Sequence, residues 1–451
     1  MGKWCIMSKL SVNQTASLFL IFFLIGNTCG QVQSGFIFPL QNQHVHGATL
    51  VECSNGDILS AWFQGSGEKR ADDVVIMGAR FKKGSDQWRK PFLMADHPDF
   101  PDVNPMMFID PQDRLWIFWY TVIANQWETS LPKYRISSDY TGDGPPKWDW
   151  QDVLILKPGG TTGYGIQPND PFVKTVERKL DELYNYYFSK LSKNDTLEIK
   201  NFEKEFKRLE QRTLSNAKGQ ELVRRSREYQ ADGSYVETEL GYPLFRRIGW
   251  QTKNKAFILD KRRLIVPFYS DEFSFSLMAI SDDWGKTWQF SEPLVGAGNI
   301  QPTIVRKQNG HLVAYMRDNG PPPKRIQQSE SADGGFTWSM VTDSELPNPG
   351  AGTDAVTLAN GHWAIVYNDT EKGRHSLAVS ISDDDGKTWK WTKHLERDER
   401  DERATSGEYP AIIQGRDGML HVVYSFHQTD PDGRSIKTIK YAKFPESWVI
   451  D

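Results

Sequence analysis

Residues 281–288 read SDDWGKTW, residues 331–338 read SADGGFTW, and residues 382–389 read SDDDGKTW. The three stretches begin 50 and 51 residues apart. A fixed period of that size marks a propeller or a similar array. Each phrase suits a tight turn. Asp283, Asp333 and Asp384 can accept from nearby backbone N–H groups, and Gly285, Gly335 and Gly386 tolerate positive φ. Trp288, Trp338 and Trp389 then open an outgoing strand and bring a large ring to bury under the turn.

A second period lies inside the first. Asn55-Gly56 leads into Ile58-Leu59, Asp113-Arg114 into Leu115-Trp116-Ile117, and Lys261-Arg262-Arg263 into Leu264-Ile265-Val266. Asn309-Gly310, Asn360-Gly361 and Asp417-Gly418 precede apolar runs at Leu312, Trp363 and Leu420. Such turns between apolar runs are hairpin signals. Six units predict an all-β chain, a six-bladed β-propeller of four-stranded blades, whose closure leaves few exposed edges. Phe36-Ile37-Phe38 is placed to complete the last blade and latch the ring. The first two blades carry worn copies of the phrase, Gly84-Ser85-Asp86-Gln87-Trp88 and Ser138-Asp139-Tyr140 with Trp148.

The period breaks between Pro171 and Gly249. Phe172, Val176, Leu180, Leu183, Tyr187 and Leu191 recur at helical steps, and Asn194-Asp195-Thr196 supplies a break and a cap. A second helical run follows through Leu197, Phe202, Phe206, Leu209 and Leu214. The pattern predicts an α-helical hairpin inserted in the third blade. The expected divisions are a signal peptide at 1–30, propeller at 31–171, insertion at 172–248 and propeller at 249–451.

The 451 residues carry a net charge of −4, which gives no basic footprint for nucleic acid. Lys3 and Lys9 precede the apolar run 17–25, and small residues follow at Thr28 and Gly30, as in an export signal cleaved before Gln31. The run is short for a membrane span, so a secreted or periplasmic protein without a membrane span is expected. Acylation at Cys29 is the alternative. Cleavage would leave Cys53 alone, with no intrachain disulfide. Asn13, Asn194 and Asn368 begin glycosylation sequons. The run 396–403 alternates in charge and reads as a solvated loop. No metal-binding cluster or cofactor motif is present in the sequence.

The three repeated phrases resemble the Asp-box of the sialidase (neuraminidase) superfamily, also called BNR repeats, and the blade pattern from about Gln43 to Phe444 is similar to bacterial sialidase-like propellers. The resemblance implies three arginines on a sugar carboxylate, a Tyr nucleophile with a Glu partner, and an Asp acid/base on a loop. Arg317, ending Ala314-Tyr315-Met316-Arg317, matches the second arginine, and Arg374 matches the third. Tyr409, in Glu408-Tyr409-Pro410, matches the nucleophile. Asp73 in the loop 65–73 matches the acid/base, with Asp72 in reserve. Two positions depart from the pattern. His46 stands where the first arginine belongs, and Gln301 stands where the Glu belongs. Asn104-Pro105 and Asn348-Pro349 look like blade-entry elbows, and Asn104 is expected to reach the central funnel. Trp62, Trp119 and Tyr120 either stack on a sugar or fill core.

Arginines pair a carboxylate through charge-assisted, often bidentate bonds, and a Tyr nucleophile keeps an anion away from an anionic sugar. The resemblance therefore implies an exo-glycosidase that releases a terminal acidic sugar from a glycan. Two alternatives stay open. In a polysaccharide lyase, neutral His46 would take the proton beside a uronate carboxylate and Tyr409 would protonate the leaving oxygen. A non-catalytic glycan-binding propeller would account for the missing Glu and Arg.

Overall fold

The computed structural model describes residues 31–159, 170–192, 195–219, 223–241, 244–399 and 405–451. The expected leader lies outside these residues. So do Cys29, Asn194 and part of the charged run after Glu399.

Six antiparallel sheets form in chain order. Blade I begins with strand His44–Glu52, blade II with Asp102–Ile109, blade IV with Asn299–Arg306, blade V with Asp354–Thr357 and blade VI with Thr405–Gln414. In blade III the first position is shared by two short strands, Trp250–Gln251 and Phe257–Leu259, both paired to Arg263–Ser270. The expected latch is present. Gln33–Phe36 pairs antiparallel with Ser435–Phe444 and supplies the fourth strand of blade VI. The ring also closes through side chains. Ser425 Oγ accepts from Gly47 N at 3.1 Å, and Arg416 Nη1 donates to Ser54 O at 3.0 Å.

Each repeated phrase folds into the same knot. Ser281, Ser331 and Ser382 each donate Oγ to their Asp at 2.9 Å. The same hydroxyls accept from Gly285, Gly335 and Gly386 N at 2.8–2.9 Å. Each Asp also takes the backbone N–H and the hydroxyl of Thr287, Thr337 or Thr388. Trp338 is buried, whereas Trp288 and Trp389 are only partly covered.

The insertion is helical as expected, but it precedes blade III and is not inside it, since all of blade III lies beyond it. Helix α1 spans Pro171–Lys190 and α2 spans Thr196–Lys218. Asp170 and Asp195 cap them, each accepting two N–H groups of the first turn. Phe172, Val173, Val176 and Leu180 bury against Trp250, Phe273 and Phe275. Lys179 Nζ reaches Trp338 O at 2.9 Å, and Asn216 Nδ2 reaches Glu272 Oε1 at 2.7 Å. The pair is thus a brace against blades III and IV. A small antiparallel ribbon, Val223–Tyr229 with Tyr235–Gly241, follows it. No helix of the described residues is long and apolar enough to cross a membrane.

Candidate functional site

The first strands of blades I, II, IV and VI share one irregularity. Their ladders slip between His46 and Thr49, Val103 and Met106, Ile300 and Thr303, and Glu408 and Ala411. At each slip one residue has left-handed backbone: Gly47 (φ 66°), Asn104 (48°), Gln301 (56°) and Tyr409 (52°). Three of them precede a proline, Pro105, Pro302 and Pro410. Proline has no N–H to give the ladder and bars the ordinary helical conformation from the residue before it. The strand bulges, and the left-handed residue is re-aimed. For Gln and Tyr that conformation is costly, of order 1–3 kcal/mol, and such strain concentrates at functional sites.

Tyr409 is the meeting point. Its Oη accepts from Arg317 Nη1 at 2.7 Å and from Gln301 Nε2 at 3.1 Å. The His46 ring lies with its centroid 4.0 Å from that of Tyr409. Arg374 pairs with Glu408 and donates Nη2 to Gly350 O at 2.9 Å, a carbonyl positioned by the Asn348 elbow. Arg317, Arg374, Gln301, His46 and Tyr409 are therefore brought together. Asn104 joins from blade II, donating Nδ2 to Tyr120 Oη at 2.9 Å and towards Tyr269 Oη at 3.5 Å. Tyr269 also receives Gln301 Nε2 at 3.4 Å.

The acid/base loop differs from expectation. Asp73 folds back on its own loop, accepting from Ser66 N at 3.0 Å and Ser66 Oγ at 2.8 Å. Those bonds hold its carboxyl below the usual range. Asp72 accepts from Asn125 Nδ2 at 3.1 Å. Neither bonds to a residue of the Tyr409 cluster. The loop acid nearer the cluster is Glu68, 2.9 Å from His44 Nε2. Burial raises the Glu68 carboxyl, but His44, Lys437 and Arg374 outweigh it and hold the group low. Trp62 is fully buried core, and Trp119 and Tyr120 are buried as well. Cys53 is a buried free thiol pushed up to about 11 by burial.

Two titrating groups are pushed in opposite directions. Burial holds the His46 imidazole well below its ordinary value, with His427, His44, Arg374 and Lys437 adding to the effect. It is a neutral base, and its buried Nδ1 has no protein partner. Burial raises the Asp271 carboxyl, against the pull of Arg317 and a bond from Gln251. It retains a proton more readily than an ordinary Asp. Sequence reasoning missed Asp271, Glu68 and His427. The signal for Asp271 was its place two residues beyond Tyr269 at a strand end.

His46, Glu408 and His427 offer ligand atoms within 4.8 Å of one another. However, Glu408 already pairs with Arg374 and, at 3.2 Å, with His427 Nδ1. Arg374 and Lys437 place positive charge beside the two imidazoles and help to hold both below their ordinary value. The trio is a carboxylate and two neutral imidazoles set among cations that already occupy the carboxylate, and it does not fit a dication site.

The family model for the BNR repeat-like domain matches residues 56–166 and 245–422, well over half of the chain. A stretch of 79 residues is 35% identical to an anhydrosialidase of Macrobdella decora. It covers 17% of this chain and 10% of that relative's length. A Dyadobacter fermentans protein of unknown function superposes with TM-score 0.58 at 14% identity, over 91% of this chain and 98% of its own. Hadza microbial sialidase Hz136 gives 0.57 at 13%, over 90% and 66%. The intramolecular trans-sialidase of Ruminococcus gnavus, in complex with oseltamivir carboxylate, gives 0.55 at 14%, over 90% and 95%. At these identities the likeness is one of fold.

Proposed function

Since this chain belongs to the BNR repeat-like domain family and has the fold of sialidases, we propose that it is a sialidase-like exo-glycosidase acting on a terminal acidic sugar. The observation that carries the proposal is the surroundings of the Tyr409 phenol, with Arg317 and Gln301 bonded to it and a neutral imidazole against its ring.

Arg317 and Arg374 grip the sugar carboxylate, and their fixed charge favours an anion over the neutral sugars of most glycans. His46 takes the Tyr409 proton, which replaces the Glu that Gln301 displaces. The phenolate oxygen then bonds to the anomeric carbon as the glycosidic C–O bond breaks. Asp271 gives its proton to the leaving oxygen. Water, deprotonated by the same carboxylate, afterwards attacks the anomeric carbon and breaks the sugar–Tyr409 bond, and the His46 imidazolium returns its proton to the departing phenolate. Groups whose environments drive their pKa values apart are suited to base and acid roles. Export of the protein belongs to this proposal, supported by Lys3 and Lys9 ahead of the apolar run 17–25.

The test is release of free sugar from sialylated and uronic-acid-ended oligosaccharides, with Tyr409→Phe as the control. Release by the wild type and its loss in the variant are expected. No release from either class overturns the proposal. A lyase is the second reading, favoured by the neutral His46 beside Tyr409. It is recognised by unsaturated products that absorb in the near ultraviolet.

A further inference from the structure

Three cations surround one ring. The Arg374 and Arg317 guanidinium carbons lie 5.6 and 6.0 Å from the Tyr409 centroid, and Lys253 Nζ lies 5.8 Å from it. We propose that Lys253 is the third cation of the acidic-sugar site, a buried positioning residue that supplies the charge lost where His46 replaces an arginine. The proposal rests on the reading of Tyr409, Arg317 and Arg374 as the anion site.

The segment that carries Lys253 ties the floor of the funnel together. Thr252 Oγ1 donates to Asn104 O at 3.3 Å, Lys253 Nζ donates to Pro410 O, and Asn254 Nδ2 donates to Gln301 O at 2.9 Å. Three consecutive side chains thus each hold a carbonyl at or just past a left-handed bulge, in blades II, VI and IV. Gly352 makes the close approach possible. A Cβ there would lie 3.1 Å from Gln301 Oε1, 3.3 Å from Lys253 Cε and 3.5 Å from Tyr409 Cγ.

Lys253 is 4% exposed, and among the described residues no carboxylate bonds to it directly. The charged and titratable groups facing it are Asp354 of blade V, Lys255 of its own segment and Tyr409 of blade VI. Asp354 is already held by Lys255 Nζ (2.7 Å), Thr303 Oγ1 (2.7 Å) and Ile412 N (2.9 Å). The ammonium field is therefore left to act on the funnel, where low-dielectric walls preserve it. Burial brings Lys253 down to about 8, with Asp354 opposing and Lys255 reinforcing the shift. It is charged at neutral pH and discharges as the medium becomes alkaline.

Binding of N-acetylneuraminic acid and of glucuronic acid, measured by calorimetry from pH 6 to 10, tests this. For the wild type, affinity should fall as pH rises through about 8. Lys253→Arg should keep its affinity across the range. Lys253→Met should bind about tenfold or more weakly and without that alkaline fall. A ligand-free arm uses denaturant stability. The folded pKa lies below the unfolded value, so wild-type stability relative to Lys253→Met should rise from about pH 8 to pH 10. A flat difference overturns the buried charge. Binding that is lost in Arg317→Met but unchanged in Lys253→Met overturns the Lys253 role alone. Absence of wild-type binding to both acids overturns the site reading and the proposal with it.

Discussion

The rim of the propeller and its funnel repeat in different currencies. At the rim, three turns share residues and bonds alike, with Ser, Asp, Gly and Thr joined at nearly equal distances. In the funnel, four strands share a backbone irregularity while its residue changes from Gly47 to Asn104, Gln301 and Tyr409. A rim turn does the same task in each blade, so its side chains recur. A funnel bulge has only to aim a side chain inward, and the chemistry aimed differs by blade. The proposed function therefore sits where the geometry repeats and the sequence does not. Variants at the two places should separate accordingly, funnel changes costing activity and rim changes costing stability.

The largest effect is expected at Tyr409. Tyr409→Phe removes the oxygen that Arg317 and Gln301 address and leaves the ring in place. Turnover should fall by about a thousandfold, roughly 4 kcal/mol in barrier, while the melting temperature stays close to wild type. Sugar-release assays and thermal unfolding on the same preparation check both halves. Equal losses in activity and stability would make Tyr409 a packing residue and break the comparison.

Next comes Arg317. Arg317→Lys keeps a charge but loses the planar fork that serves Tyr409 and, in the proposed site, a sugar carboxylate together. Its effect should be about a hundredfold on kcat/KM, of the order seen when one strong polar contact to a transition state is lost. A neutral-sugar substrate, if one is turned over, should lose much less, and that contrast is the measurement.

This division also explains what the sequence disclosed. The period of the Asp-boxes yields six blades, and the turns at Asn55, Asn309, Asn360 and Asp417 set their register. Helical spacing from Phe172 to Leu214 finds both helices, because α1 buries one face against the sheets and α2 packs Phe202 and Phe206 on Tyr184 of α1. Gln301, His46, Asn104 and Tyr409 were legible as first-strand residues in that register, Arg317 as the end of a second strand and Arg374 as lying just before a third, and they converge. Asp73 was placed by its loop, but a loop's direction depends on bonds such as Ser66 to Asp73 that have no period. Lys253 was invisible for another reason. Its role comes from carbonyls of blades II, IV and VI gathered beneath one segment of blade III, and no local pattern records such a meeting. Asn104-Pro105 was read as an elbow, but its recurrence as Gln301-Pro302 and Tyr409-Pro410 was the unread clue, since the proline marks the bulge.

The insertion lies between the two regimes, and Arg246 tests it. Arg246 is fully buried, pairs with the α1 cap Asp170, donates to Pro158 O at 3.2 Å and stacks 4.5 Å from the Phe172 ring. Arg246→Met leaves the largely covered Asp170 carboxylate without that charge, so a loss of about 3 kcal/mol is expected. Denaturant unfolding measures it. If the insertion is a brace and not a lid, KM at temperatures well below the transition should not change.

The smallest effect belongs to the rim. Asp384 accepts from Ser382 Oγ, Thr388 N and Thr388 Oγ1 at 2.7–2.9 Å. Asp384→Ala removes all three bonds from a turn that water can reach, so the cost should be about 1–2 kcal/mol and not the sum of three buried bonds. The pH dependence has a definite sign. Burial would raise the carboxyl, but the bonds from Thr388 and Ser382, with Lys390 nearby, bring it down to about 2 from 3.8. A group lowered in the folded state stabilises the fold above its unfolded pKa. The difference between wild type and Asp384→Ala should hold steady above about pH 5 and shrink as pH falls through 4 towards 2. Asp283→Ala and Asp333→Ala should each lose a similar amount, because their turns carry the same bonds. Turnover in all three should stay within a factor of two of wild type at neutral pH, on the order expected for substitutions that touch nothing in the site. A rim variant that lost activity while keeping its stability would show that the turns do more than hold blades, and would remove the separation between rim and funnel.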